Sequence, residues 1–314
     1  MLKDNELKYA EGSQANGSSD SIRLATFEQY RGLLFSIAYR MLGSVADAED
    51  MLQEAFIRWQ QTADDNIRSP RAFLVTIISR LCINQLQSAR AQREEYVGEW
   101  LPEPIMTDPK SDPLGLIKID ESLSMAFLIL MERLTPIERA VFLLREVFEY
   151  EYAEITAILA QNEPNCRQIL RRARQHVGAL QPRFKTSERK KKDLLERFLK
   201  ATSSGDMEEL VTLLASDVVL QSDGGGNGLA VPNLIHGIGK VARGAMGGLK
   251  KLLPKNLVHQ LAQINGEPGI VSYLNGKPFS VLTIDAGETQ IRAIYVLTNP
   301  AKLSHLPELP SVPQ

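Results

Sequence analysis

Two sets of charged residues at helical spacing are the first candidates for chemistry in this chain of 314 residues. One set is cationic. In "CRQILRRARQHV", which begins at Cys166, Arg167, Arg171 and Arg174 recur at i, i+4 and i+7, with Gln168 and Arg172 beside them. Guanidinium forks match phosphate oxygens and base edges. Like charges one turn apart repel by about 0.2–0.5 kcal/mol, and no acid is read on this face, so the row asks for an anionic partner. The other set is anionic. In "SVADAEDMLQEAFIRWQQ", Asp47, Asp50 and Glu54 share one edge with Gln53. Paired carboxylates can hold a metal or move protons. No histidine stands near them and no EF-hand glycine follows, and an exposed carboxylate is a poor general acid near neutral pH. The edge suits a basic protein partner instead. A third group, Asp223, His236 and Tyr273, holds the candidates for a pocket acid or base in the last third. No base with an orienting neighbour is legible among them, so no catalytic residue is assigned.

The elements that must position these groups follow from periodicity. Cys166, Ile169, Leu170, Ala173 and Val177 form an apolar stripe at the helical period, opposite the arginines. Asn162 is a suitable N-cap, and Pro164 is tolerated in a first turn. Upstream, "LTPIERAVFLLREVF" and "EYEYAEITAILA" read as helices, and "QNEPN" as a short break before the arginine helix. Helix, short turn, helix is a helix-turn-helix pattern, whose second helix enters the DNA major groove. In the acidic segment Ala48, Met51, Leu52, Ala55, Phe56 and Trp59 form the buried stripe, with Ser44 as N-cap. A helix before it runs from Thr26, paired with Gln29 in a capping box, to Gly43. A third helix opens at Ser69-Pro70 and continues through Arg90.

Beyond "RFKTSERKKK", a basic hinge, the pattern changes. Two helices, "RKKKDLLERFLKATSSG" and "DMEELVTLLASD", precede the β-branched runs "DVVLQS", "GIVSYL", "FSVLTID" and "TQIRAIYVLT". "KVARGAMGGLKKLL" between them reads as helical, and "NG" and "DAG" mark turns. Helices followed by an antiparallel set of strands give an α+β domain.

Composition bounds the function classes. Hydrophobic residues make up 44% and charged residues 24%, ordinary for a globular protein with a core. The formal net charge of −2 hides a basic stretch at 165–192 and acidic ones at 94–112 and after Ser44. No apolar run approaches the ~20 residues of a membrane span, and the polar N-terminus reads as a disordered lead-in without a signal sequence. Cys82 and Cys166 are isolated, fit small buried hydrophobes and have no metal spacing. The expectation is a cytoplasmic protein with no metal, cofactor or membrane partner.

Several motifs in order carry a resemblance over residues 26–180. "DAEDMLQEAF" resembles the core-polymerase-binding helix of sigma-70 factors. "SPRAFLVTIISRLCINQLQSARA" resembles the helix that reads the minus-ten promoter element. "LTPIERAVFLLREVFEYEYAEITAILAQNEPNCRQILRRARQHV" resembles sigma region four, which reads the minus-thirty-five element. Two such blocks joined by a linker resemble the extracytoplasmic-function group. "WLPEP" at Trp100–Pro104, "DGGG" at Asp223–Gly226 and "NPAKL" at Asn299–Leu303 resemble signatures of the SigJ-like subgroup, which carries a C-terminal SnoaL-like cone. The chain departs from that subgroup at Asn84, Gln85 and Gln87, at Asn227, and at Ala301, where the signature has an acid. Neutral residues on the minus-ten helix weaken phosphate attraction.

The resemblance implies two all-α sigma domains, the second with the helix-turn-helix, plus an α+β SnoaL-like cone. The expected divisions are a lead-in over 1–25, region two over 26–95, an acidic proline-rich linker over 96–118, region four over 119–180, the SnoaL-like regulatory domain over 181–298 and an irregular tail over 299–314. Core RNA polymerase would be held through Asp47, Asp50, Gln53 and Glu54. Promoter DNA would meet Arg80, Asn84 and Gln87 at the minus-ten element, and Arg167, Gln168, Arg171, Arg172 and Arg174 at the minus-thirty-five element. Trp100, Pro102, Asp223, Gly224, Gly225, Asn299, Pro300 and Leu303 would carry contact between the sigma domains and the cone, where glycines permit close approach. A small ligand of the cone is left open and unidentified. The alternatives are a helix-turn-helix regulator that binds DNA alone, or a small-molecule-sensing cone fused to a DNA-binding arm.

Overall fold

The computed structural model describes residues 3–63, 67–93, 98–107, 121–178, 186–226, 233–248, 254 and 256–309. The chain divides into two compact units. One gathers residues 1–87, 114–118 and 136–173, and the other gathers 88–113, 119–135 and 174–314.

The first unit is helical. α1 spans Lys3–Leu42, α2 Val45–Gln61 and α3 Pro70–Arg93. Gly43, at φ 68°, ends α1 in the left-handed region, its N–H donating to the Tyr39 carbonyl over 2.7 Å. Ser44 then caps α2, accepting from the Asp47 N–H at 3.1 Å. Ala48, Leu52, Ala55 and Trp59 are the buried face of α2, and Phe56 meets Phe27 edge-on at 4.9 Å. α1 begins well before the expected lead-in ends. No proline interrupts residues 3–25, and Thr26 is not a cap, because its hydroxyl donates back to the Ile22 carbonyl at 2.9 Å within the helix. α5 (Pro136–Phe142) runs on as a π turn over Leu143–Val147, followed by α6 (Tyr152–Leu159) and α7 (Glu163–Gly178), the last shared between the units.

The second unit is built on one sheet. α4 (Met125–Met131) belongs to it, as do α8 (Glu188–Ser204) and α9 (Met207–Leu213). The strands are β1 (Leu214–Asp223), β2 (Ile235–His236), β3 (Val258–Ile264), β4 (Glu267–Leu274), β5 (Lys277–Ala286) and β6 (Ile291–Leu297). α10 (Ile238–Arg243) lies between β2 and β3 in sequence, and a single helical turn, α11 (Pro300–Leu303), closes the chain. The sheet order is β2-β1-β6-β5-β4-β3. β3 through β6 form an antiparallel meander. Asn265-Gly266 and Asn275-Gly276 turn its first two hairpins, all four residues at positive φ.

The sheet is not wholly antiparallel as expected. β6 returns beside β1 in parallel register, Leu220 opposite Ile294 and Asp223 opposite Leu297. β3, "VHQLAQI", escapes the sequence reading because residues 258–261 are all exposed at the sheet edge, where apolar and polar residues do not alternate. The tail is not irregular throughout: α11 is helical, and Leu303 and Leu306 are buried.

Both faces of the sheet are covered, which is why "GIVSYL" reads as a continuous apolar run. One face carries Leu220, Ile270, Ile284, Ile294 and Val296 against Leu194, Leu195 and Phe198 of α8 and Leu210 of α9. The other carries Ile264, Val271, Tyr273, Val281, Tyr295 and Leu297 against Leu101, Met125, Leu303 and Leu306.

Both cysteines are fully buried in the helical unit. Burial pushes each thiol up from its usual range, aided by the charge of Asp47 at Cys82 and of Glu163 at Cys166. At pH 8 both therefore remain protonated. The folded protein should be inert to a thiol-disulfide reagent at that pH, and two thiols should titrate once urea opens the helices.

Candidate functional site

The arginine helix is built as its periodicity requires. Glu151 and Glu154 cap α6 reciprocally, the Glu151 N–H donating to Glu154 Oε2 over 2.9 Å. Ala160, at φ 52°, ends that helix, and Asn162 starts α7 by accepting from the Asn165 N–H at 2.9 Å. Cys166, Ile169, Leu170, Ala173 and Val177 are buried, while Arg167, Gln168, Arg171, Arg172 and Arg174 are exposed. One expectation is corrected. An acid does stand on this face: Glu163, one turn before Arg167, takes its Nε at 3.0 Å and Nη2 at 2.6 Å. Arg167 also lies 4.2 Å over the Tyr152 ring. The i, i+4 count from Arg167 forward misses a partner one turn back. Arg171 and Arg172 have no side-chain partner among the described residues.

The acidic edge of α2 is graded. Asp50 and Gln53 are exposed. Glu54 is half-buried and pairs with Arg58 at 2.8 Å, and Asp47 is half-buried and accepts from Gln85 Nε2 of α3 at 3.3 Å. Glu49, beside them, is held by Arg31 at 2.6 Å. No group of carboxylates, histidines and cysteines among the described residues could hold a metal.

On α3, Asn84 and Gln87 are exposed, but Arg80 is engaged within the helical unit. Its Nε donates to the Ile158 carbonyl at 2.9 Å and its Nη2 to the Ala157 carbonyl at 3.4 Å. These are carbonyls of the last turn of α6, where a cation is favoured by the helix dipole. Arg139 of α5 donates in the same unit to the Met41 carbonyl at 2.5 Å, and Arg71 lies 5.1 Å over the Tyr150 ring. Residues 64–66, between α2 and α3, lie outside the described residues.

In the second unit the three signature segments converge. Lys302 Nζ donates to Asp223 Oδ2 at 2.7 Å and to the Leu101 carbonyl at 2.6 Å, and stands 4.2 Å over the Trp100 ring. The other end of the exchange is closed by the Leu101 N–H, which donates to Asp223 Oδ2 at 2.9 Å. Asp223 is fully buried, and the Lys302 side chain is 9% exposed. Asn299 and Pro300 shape the turn that delivers Lys302: Asn299 accepts from the Ala301 N–H at 3.1 Å, and Pro300 takes the first helical position. Gly225, at φ 61°, admits Asn299, since a Cβ there would stand 2.6 Å from its side chain. Gly224 and Pro102 are buried, and Leu303 enters the core beside Leu101. Ala301 is exposed, outside this network, and Asn227 lies outside the described residues.

The linker continues along the sheet. The Thr107 N–H donates to the Gln263 carbonyl at 2.9 Å, the Asn265 N–H to the Ile105 carbonyl at 2.8 Å, and the Asn265 amide to the Leu123 carbonyl at 3.0 Å. His236 is exposed on the two-residue β2, and Tyr273 is packed on the linker side, its phenol pushed up by burial. The structure does not bring Asp223, His236 and Tyr273 together as a pocket.

The chain matches the family models Sigma-70 region 2 over residues 26–92 and Sigma-70, region 4 over residues 124–177. It is 34% identical to the ECF RNA polymerase sigma factor SigJ of Mycobacterium tuberculosis, over 91% of this chain and 95% of that protein. The chain belongs to the extracytoplasmic-function sigma factors. It is also 28% identical to the probable ECF RNA polymerase sigma factor SigI of that organism, over 90% of this chain and 95% of the relative. The crystal structure of the M. tuberculosis SigJ protein superimposes with a TM-score of 0.72 at 32% identity, covering 90% of this chain and 98% of that one. As a sigma factor the chain binds core RNA polymerase, directs promoter-specific initiation and is not an enzyme. No helix among the described residues is long and apolar enough to cross a membrane.

Sequence reasoning missed Lys302, although it sits inside "NPAKL". A lone lysine in a polar tail reads as solvated, and only its burial opposite Asp223 distinguishes it. Breaking a buried pair by removing one partner typically costs about 3–5 kcal/mol. Lys302→Met should therefore destabilise the second unit by roughly that much, while Lys302→Met with Asp223→Leu should recover most of the loss. Urea titration followed by Trp100 fluorescence, in a Trp59→Phe background, reads the unit alone.

Proposed function

We propose that this sigma factor divides its contacts as follows. The edge formed by Asp47, Asp50, Gln53 and Glu54 docks on core polymerase, with Asp50 and Gln53 the leading contacts because they are exposed. Arg171 and Arg172 meet the minus-thirty-five duplex first, flanked by Arg167, Gln168 and Arg174. Asn84 and Gln87 face the minus-ten element, joined by Arg80 once it leaves the α6 carbonyls. The factor acts with polymerase in the cytoplasm. Its parts are a lead-in to residue 25, region two to 95, a linker to 118, region four to 180, the SnoaL-like domain to 298 and a tail.

The C-terminal domain tunes this activity through the linker. The observation that carries this reading is the pair of sigma-side residues, Leu101 of the linker and Met125 of α4, that complete the core of the C-terminal sheet. Asp223, Gly224, Gly225, Asn299, Pro300 and Leu303 hold Trp100 and Pro102 through the Lys302 pair. While this clamp is closed, the linker and the first helix of region four are committed to the sheet.

In transcription with purified core polymerase, Asp50→Lys with Glu54→Lys should abolish holoenzyme assembly. Arg171→Ala with Arg172→Ala should leave assembly intact, weaken promoter binding and lower the salt slope by about 1 for each phosphate no longer neutralised. Truncation before Asn299 should raise transcription by freeing the linker. Tight binding to promoter DNA without polymerase would favour a stand-alone regulator.

A further inference from the structure

The linker-free face of the sheet holds a cavity of about 370 Å³ that the sigma reading does not use. Its floor is two adjacent rows of cross-strand neighbours. In one, Ile270 pairs with Leu282 and Leu282 with Val296. In the next, His259 pairs with Ser272 and Ser272 with Ser280. The roof comes from Phe198, Leu199, Thr202 and Ser203 of α8, with Ala245, Pro254 and Leu257. Apart from Thr202 and Ser203 in the roof, apolar residues therefore meet one polar row on β3, β4 and β5.

The polar row is organised but incomplete. His259 Nδ1 and Ser272 Oγ are 2.9 Å apart, which orients the ring and leaves Nε2 without a partner among the described residues. Ser280 is only 5% exposed, and its hydroxyl has no partner among the described residues. Its oxygen lines the cavity and can exchange a hydrogen bond with a molecule that enters. Among the described residues the lining contains no Asp, Glu, Lys or Arg, so these walls offer a charged guest no counter-charge. The volume stands at the low end of small-molecule sites, ~300–1,000 Å³.

We propose that this cavity binds a neutral, mostly hydrocarbon molecule of one or two rings, whose single carbonyl or hydroxyl oxygen is read by Ser280 and by the His259–Ser272 pair. Small-ligand sites combine apolar walls with a few placed polar groups, as here. The proposal does not depend on the assignment of the polymerase and promoter contacts, and its test does not use transcription.

The test uses the full chain and N-phenyl-1-naphthylamine, a neutral probe that brightens in apolar surroundings. Saturable binding at micromolar probe is expected, with displacement by 2-decalone. Decalin, which lacks the oxygen, should compete at least tenfold more weakly, and naphthalene-2-sulfonate should not compete. Leu282→Trp should fill the cavity and weaken the probe at least tenfold. Ser280→Ala, a conservative change that keeps the fold if Leu282→Trp does not, should bring decalone and decalin within about threefold of each other. No binding up to 100 µM, undiminished binding to folded Leu282→Trp, equal competition by ketone and hydrocarbon in the parent, or competition by the sulfonate would each overturn the proposal.

Discussion

A lysine ammonium and an aspartate carboxylate, both withdrawn from water, set the constraint on which the second unit depends. Such a pair is tolerated only when its remaining donors and acceptors are satisfied. Here the main chain of Leu101 supplies what is lacking, giving its carbonyl to Lys302 and its N–H to Asp223. The indole of Trp100 covers the ammonium. The linker is thus part of the electrostatic solution. If it left, two buried ions would lose hydrogen bonds as well as apolar cover.

The helical unit uses cations differently. Arg80, Arg139 and Arg71 donate to carbonyls or lie over a ring within the unit, whereas Arg171 and Arg172 project outward. The distinction lies in where each helix ends. Arg80 finds the carbonyls at the C-terminus of α6, which are the ones a helix cannot satisfy itself. Arg171 and Arg172 lie within α7, more than a turn before its end at Gly178, away from the carbonyls that a helix leaves unpaired. The same side chain is a structural tie in one setting and a free contact in the other.

Much of this was legible from the chain. The stripe from Cys166 to Val177, the caps at Ser44 and Asn162 and the hairpin asparagine-glycine pairs are local signals, and local geometry obeys them. The parallel return of β6 was not legible, because register between distant strands leaves no mark at short range. β3 was hidden for a related reason, since an edge strand exposes one side and loses its apolar alternation. Glu163 is hidden because it stands one turn before the arginine row, within "QNEPN", the break that separates the two helices in the pattern. Lys302 and His259 escaped because their roles exist only once β1, β4 and the linker lie beside them. Residue types announced helices and caps, but burial of a charged or polar group was settled by tertiary packing.

The position of β6 in the sheet has a consequence for biogenesis. β6 lies between β1 and β5, yet it is made after every other strand. Until it leaves the ribosome, β1 with β2 and the β3–β5 meander are two fragments with no common hydrogen-bonded neighbour. Pairings so distant in sequence form slowly, and N-terminal parts fold first during synthesis. The helices of the first unit therefore emerge and can fold before the surface that receives the linker exists. Each new molecule passes through an interval in which its sheet has not yet been joined into one.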